Sequence, residues 1–393
     1  MKIALVHDWL TGYRGGERVL HHLAQRFPRA DLYTLFHTPG SVTPEIENRR
    51  ITTSHLDRLP GTANHYRKLL PLFPWAIRRF DFTGYDLVIS TSHAVAKSIR
   101  VAPEIPHLDY CFTPMRYIWD QVDAYLGHGP VRWLATPAIH ALRRFDVRTS
   151  GPGSVRRFVA ISTEVAGRIQ KHYGREANVI APPVDISWIE PASEPAEDFY
   201  LHVAGFVPYK RDSLVIETFR RMKRRLVVVG DGPGRAALES RATPNIEFTG
   251  RIDDAALAHF YRRARALIYP QREDFGLVAV EAQAAGRPVI AFGEGGVRDT
   301  VRPLFDRSLE DPDRNEDFSI DAPGDPPSSS VDPTGIFFHE PTTESLAVAI
   351  EQFEKAEARF DPTHIRRWAE QFSPSRFDHA FDREIQAAIG ASS

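Results

Sequence analysis

QREDFGLVAVEAQAAGRPVIAFGEGG, residues 271–296, is the stretch from which the fold can be worked out. A loop, Glu273-Asp274-Phe275-Gly276, runs into an apolar segment of helical period. That segment stops at Gly286-Arg287-Pro288, where glycine can take a left-handed cap and proline cannot continue the helix. Residues 289–292 then read as a short buried strand, followed by the pair Gly295-Gly296. Unpaired N–H groups at Gly276, Leu277 and Val278, with the positive end of the helix dipole, form a seat for a phosphate or a cluster of hydroxyls. Glu273 lies at the mouth of that seat, and Glu281 follows two turns along the helix, roughly 12 Å further by the helical rise. A glycosidase acid/base pair needs its carboxyls about 5–9.5 Å apart, so these two do not fit that chemistry. They suit the two ends of an extended ligand with hydroxyls at each end and phosphates between, which is the outline of a nucleotide-sugar.

The 393-residue length favours two domains. A hydrophobic content of 42% and a charged content of 25% describe an ordinary globular chain. With 49 basic and 51 acidic residues the net charge is −2, so no nucleic-acid partner is expected. A single cysteine, Cys111, excludes an intramolecular disulfide framework and a cysteine-rich zinc site, and fits a reducing cytoplasm. The N-terminus reaches Asp8 too early for a signal peptide, and no run of 18 apolar residues offers a membrane span. Apolar strands alternate with amphipathic helices in both halves, the pattern of α/β layers on parallel sheets.

In the first half, residues 3–6 read as a buried strand, followed by a loop containing Tyr13, Gly15 and Gly16 and then a helix over 17–27. Strand, glycine loop and helix start form a turn able to seat a phosphate, or simply a tight βα turn. Residues 64–80, NHYRKLLPLFPWAIRRF, mix basic with bulky apolar side chains and contain no acid. They form either a surface for anionic lipid or a helical hairpin that packs Leu69, Leu72 and Trp75 into the core. Residues 86–90 are a strand, and His93, just past its end, points to where ligands of open α/β sheets bind. Residues 107–120, HLDYCFTPMRYIWD, are dense in core-filling aromatics yet include Arg116, Trp119 and Asp120. A helix is expected over 131–149, the last clear strand of the first half over 158–162, and a proline-stiffened linker over 179–185.

In the second half, strands are expected over 199–204, 226–230, 246–250, 266–269, 289–292 and 335–338. After the first of these, Lys210 and Arg211 stand above a helix start as a plausible diphosphate clamp. Gly230-Asp231-Gly232-Pro233-Gly234-Arg235 lacks the third glycine of a dinucleotide fingerprint, so NAD is not expected. Arg251 and Ile252 precede an Asp-capped helix. Residues 304–332 carry nine acidic and two basic residues with prolines and a serine run, which reads as a mobile surface insertion. A final helix over 376–389 places Phe377, Ala380, Phe381 and Ile385 on one stripe.

The order E-x-F-G-x-x-x-x-E from Glu273 to Glu281, followed by A-x-x-x-G-x-P-V-I-A, resembles the paired-glutamate signature of the family 4 retaining glycosyltransferases with the GT-B fold (GT4). TPMRYIWD, residues 113–120, is similar to the subgroup typified by bacterial O-antigen mannosyltransferases. The resemblance covers nearly the whole chain and is strongest over 199–300. It implies an α/β GT-B architecture of two Rossmann-like domains facing a donor crevice. Residues 1–181 would form the acceptor domain and 182–372 the donor domain, with 373–393 returning to the first. It implies transfer of a hexose with retention, GDP-mannose being the leading donor, to a glycan or lipid-linked acceptor in surface polysaccharide or glycolipid synthesis.

By the same resemblance Glu281 would bind the ribose hydroxyls, Glu273 the distal hydroxyls of the sugar, and His93 the transferred sugar. Lys210, Arg211 and the helix start at Gly276 would face the departing diphosphate, with Gly15 and Gly16 beneath it. Arg251 and Ile252 would touch the base, Asp274, Phe275, Leu277 and Val278 would complete the donor loop, and Tyr13, Arg116, Trp119 and Asp120 would lie on the acceptor side. No metal and no cofactor beyond the sugar nucleotide is expected. Residues 64–80 would approach the inner membrane face, giving a cytoplasmic protein with peripheral membrane contact. The chain departs from the family pattern at Gly205, where an arginine is usual. A nucleotide-sugar epimerase or phosphorylase of the same fold, and a non-catalytic sugar-nucleotide binder, remain as alternatives.

Overall fold

The computed structural model describes residues 1–59, 61, 65–120, 122, 129–304 and 332–390. The chain forms two compact units, Met1–Pro183 with Pro374–Ser393, and Val184–Ser373. Each is a parallel sheet with helices, and each has its own core.

Unit 1 contains β1 (Ile3–His7), β2 (Asp31–Thr34), β3 (Ile51–Thr53), β4 (Leu87–Ser92), β5 (His107–Cys111), β6 (Arg157–Ala160) and β7 (Ala177–Val179). Their order is β3-β2-β1-β4-β5-β6-β7, with every pairing parallel. Its longer helices are α1 (Gly15–Arg26), α2 (Pro130–Arg148) and α3 (Thr163–Tyr173). Ser162 starts α3 by accepting the Val165 N–H, and Gly174 ends it at φ +63°. Unit 2 contains β8 (Tyr200–Val203), β9 (Leu226–Val229), β10 (Ile246–Gly250), β11 (Leu267–Tyr269), β12 (Val289–Phe292) and β13 (Gly335–Phe338), in the order β10-β9-β8-β11-β12-β13, again all parallel. Its helices include α4 (Asp212–Met222), α5 (Asp254–Arg263), α6 (Leu277–Ala284), α7 (Thr343–Ala356) and α8 (Pro362–Ala369). The last helix, α9 (Pro374–Gly390), belongs to unit 1.

All six strands of the second sheet lie where the apolar runs placed them. The first sheet differs from expectation. β2, β3, β5 and β7 were not anticipated, and the last clear strand is followed by a three-residue one. The reason is composition: β5 reads HLDYC, yet every residue is buried. Ser90 and Ser92 of β4 donate to Asp109 at 2.6 and 2.8 Å, and Ser90 meets His107 at 2.8 Å, so the polar side chains satisfy one another across strands. Residues 65–80 also differ. Tyr66, Phe73, Ala76 and Ile77 fill the core, whereas Leu72 and Trp75 are 45% and 50% exposed. Prolines at 71 and 74 divide the segment into a 3₁₀ turn and one short helix, which turns the face away from the simple hairpin reading. The acidic insertion expected at 304–332 lies outside the described residues except at its two ends.

In an open parallel sheet, ligands bind at the carboxyl ends of the strands where the strand order reverses. That point lies between β1 and β4 in unit 1 and between β8 and β11 in unit 2.

Candidate functional site

At the unit 2 reversal the chain leaves β8 into a loop ending at Lys210, and leaves β11 into the loop carrying Glu273. The two side chains, 63 residues apart, form a direct ion pair. Tyr269, at the end of β11, donates its hydroxyl to the other Glu273 oxygen at 2.7 Å. Burial, reinforced by the Glu273 charge, pushes the Tyr269 phenol well above its ordinary pKa, so it remains a donor. Gly276 then starts α6 at φ +103°, where a Cβ would crowd the Tyr269 hydroxyl at 3.1 Å. The next helix turn presses on the same loop: a Cβ on Gly296 would stand 2.3 Å from the Asp274 carbonyl, and the Gly296 N–H bonds the Glu273 carbonyl at 2.8 Å. Both glycines therefore fix where Glu273 sits.

Leu277 and Val278 are half-buried in the first turn of α6, Phe275 is buried against Phe372, and Asp274 is half-buried. Glu281 is 5% exposed and accepts the Tyr261 hydroxyl at 2.9 Å. Arg211 is held locally: its guanidinium lies 4.2 Å over the Phe292 ring and donates to the Pro270 carbonyl at 3.3 Å. Arg251 is exposed just past β10, and Ile252 precedes Asp253, which caps α5 by accepting the Ala256 N–H.

At the unit 1 reversal the central residue is one the sequence did not single out. Asp8, fully buried past β1, accepts the backbone N–H groups of His93, Ala94, Val95 and Ala96 at 2.7–2.8 Å. Its Oδ2 also lies 3.2 Å from His93 Nδ1. The His93 ring stands edge-on to Trp9 at 4.4 Å. Burial pushes its pKa down to about 4 against the opposing pull of Asp8, so near neutral pH the imidazole is uncharged. Gly15 and Gly16 open α1, and Glu17 turns back to accept the Arg14 N–H at 3.0 Å. Tyr13 is exposed beside His21.

Arg116 is half-buried and lies close enough to His93 to bear on its charge. Trp119 and Asp120 turn toward other elements. The Trp119 indole donates to buried Asp146 at 2.7 Å and stacks on His172, while Asp120 lies 3.7 Å from Arg168. The cue to Asp8 was a charged residue directly after a buried strand, IALVH, that is apolar up to His7. Its four partners lie more than eighty residues away, so sequence spacing does not reveal them. Among the described residues no group of three or more His, Cys, Asp or Glu side chains is placed to hold a metal ion. No described helix is long and apolar enough to cross a membrane.

The family model described as Glycosyltransferase Family 4 matches residues 13–188, and that described as Glycosyl transferases group 1 matches residues 188–321. The two glycosyltransferase models thus match adjoining stretches of the chain, one in each half. The chain is 31% identical over 196 residues to a protein named D-inositol 3-phosphate glycosyltransferase from Rhodococcus opacus (strain B4), a match spanning 42% of this chain and 44% of the relative. Over 116 residues it is 37% identical to a GDP-mannose-dependent alpha-mannosyltransferase from Mycolicibacterium smegmatis, spanning 28% of this chain and 31% of that one. The chain thus spans less than half the length of these curated relatives. Among solved structures, HepE from Anabaena, in complex with UDP, has a TM-score of 0.67 over 98% of this chain and 100% of its own, at 15% identity. The likeness is one of fold, and the fold is GT-B.

Proposed function

We propose that this protein transfers a hexose from a nucleoside diphosphate sugar to a hydroxyl acceptor, with retention at the anomeric carbon. The observation that carries the reading is the Lys210–Glu273–Tyr269 cluster at the strand reversal of unit 2, next to the start of α6. Such a place offers fixed positive potential to a diphosphate. In the free protein Lys210 neutralises Glu273. An arriving diphosphate competes for the ammonium, and Glu273, still held by Tyr269, turns acceptor for the hydroxyls of the sugar. Glu281 serves the ribose hydroxyls.

In the transfer step the bond from C1 to the diphosphate oxygen breaks and the acceptor hydroxyl oxygen bonds to C1. The acceptor proton leaves with the diphosphate. Lys210 and the α6 dipole stabilise the charge that develops on that leaving group, a role preorganised groups fill without reorganisation. Neutral His93 contributes hydrogen bonding to the transferred sugar, and no metal is assigned a step. GDP-mannose is the leading donor, on the strength of the mannosyltransferase relative. The acceptor is a glycan or a lipid-linked sugar.

Calorimetry with GDP, UDP and ADP, each with and without EDTA, tests the donor site. One nucleotide binding best and indifferent to EDTA is the expected result; no binding by any of them ends the proposal. Glu273→Ala is expected to lower transfer at least a hundredfold while leaving diphosphate binding within threefold, because only the sugar loses its acceptor. Retained transfer in that variant would remove Glu273 from the mechanism.

A further inference from the structure

Unit 1 holds a concave site away from its strand reversal, at the edge of its sheet where β3 is the last strand. A cavity of about 340 Å³ is lined there by Tyr33, Arg50, Thr52, Thr53, His55 and Arg79. The size falls within the range of small-ligand pockets, roughly 300–1,000 Å³. Tyr33 and Thr52 stand opposite each other in the parallel register of β2 and β3. Thr53 and His55 follow at the carboxyl end of β3, the side of such a sheet on which ligands bind.

The charge of the lining is unbalanced. Among the described residues Arg50 and Arg79 have no carboxylate partner; the Arg79 guanidinium lies instead 4.4 Å over the Trp75 ring. The one acid in the wall, Asp81, spends an oxygen on the N–H and hydroxyl of Thr83 at 2.9 and 2.7 Å. Partial burial and the neighbouring arginines Arg79 and Arg58 lower the His55 pKa from its ordinary value, and its Nε2 is buried with no hydrogen-bond partner among the described residues. The Thr52 and Thr53 hydroxyls likewise have no partner among them. Trp75, half exposed and outside the lining, packs edge-on against His55 at 3.9 Å, while the rings of Tyr33 and Phe80 are the aromatic surfaces of the wall itself.

Two guanidiniums suit a carboxylate or phosphate, which they can grip through paired N–H groups. Open hydroxyls and an unpartnered imidazole nitrogen suit a ligand rich in hydroxyl groups. The Tyr33 and Phe80 rings in the wall suit the C–H face of a pyranose. We propose that this pocket binds a monosaccharide unit bearing one phosphate or carboxylate group, whether as a free sugar phosphate or as an anionic residue of a glycan.

The test is calorimetric titration of the full chain with glucose 6-phosphate, mannose 6-phosphate and glucuronate, with glucose and inorganic phosphate as controls. At least one anionic sugar is expected to bind tenfold or more tightly than either control. Arg50→Ala and Arg79→Ala should each weaken it at least tenfold with an unchanged melting temperature, since both side chains are exposed. Lys210→Ala in unit 2 should leave it unchanged. The pocket is a simple anion site, contrary to the proposal, if inorganic phosphate binds as well as the sugars. Loss of binding in Lys210→Ala with retention in both arginine variants would move the ligand to unit 2. If no anionic sugar binds, the proposal fails. In that event, phosphatidylglycerol vesicles that sediment the wild type but not the two arginine variants would assign the surface to lipid. An oligosaccharide with an internal glucuronate, run alongside the free acid, separates the two sources of the ligand.

Discussion

At the scale of single residues, position 205 separates sequence pattern from structural need. Family resemblance puts an arginine there, and this chain has glycine. A Cβ built at Gly205 meets nothing within 4 Å, and its backbone lies outside the left-handed region that favours glycine. Nothing in the local packing therefore demands glycine. Nor does Arg211 stand free to replace the missing guanidinium, because Phe292 and the Pro270 carbonyl hold it. Gly205→Arg is accordingly expected to tighten nucleoside diphosphate binding about tenfold, or about 1.4 kcal/mol, measured by calorimetry against the wild type. Unchanged affinity would mean that residue 205 does not face the diphosphate. Asp8 shows the converse. Its loop was noted for its glycines, but the buried carboxylate holding four N–H groups organises the turn that carries His93.

Elements show why the second sheet could be read and four of the seven strands of the first could not. β9 and β12, LVVV and VIAF, are wholly apolar and buried on both faces, so composition alone marks them. β3 and β7 have three residues each, too few to display a period, and β5 hides its burial behind His107 and Asp109. The loop at 273–276 was legible because glycine and proline punctuate it. Its coupling to Lys210 and Tyr269 was not, since that depends on which strands are neighbours. The last helix illustrates the same limit. Its apolar stripe was visible, but buried Glu384 on it was not, for its partners Arg157 and Asn178 lie on β6 and β7 at 2.8 and 2.6 Å. Phe377 and Phe381 stack at 5.0 Å and both face Tyr110 of β5. Phe381→Ala in α9 should therefore cost unit 1 about 3–5 kcal/mol in denaturant unfolding. A loss below about 1 kcal/mol would show that α9 is dispensable to that core.

For the whole molecule, the buried titratable groups of unit 1 set how stability responds to acid. His93 and His107 have their pKa values pushed down to about 4, in both cases chiefly by burial. Unfolded histidines titrate near 6.5, so between these limits the unfolded chain holds the extra protons and stability falls as pH falls. Asp109 acts in the opposite sense. Burial, against the hydrogen bonds of Ser90 and Ser92, raises it to about 7, so the folded chain keeps a proton that the unfolded chain releases above about 4. Two groups thus lose stability on acidification from pH 7 to 5 while one gains it. Each contributes about 2 kcal/mol over that interval, so removing one histidine should nearly cancel the acid sensitivity arising here. His93→Gln is expected to lose about 2 kcal/mol less than the wild type between pH 7 and 5, whatever its absolute stability, because only the proton count changes the slope. Urea unfolding of both proteins at the two pH values measures this directly. Parallel losses would show that His93 takes up its proton in the folded protein as readily as in the unfolded chain, and would contradict the neutral imidazole on which its part in sugar recognition rests.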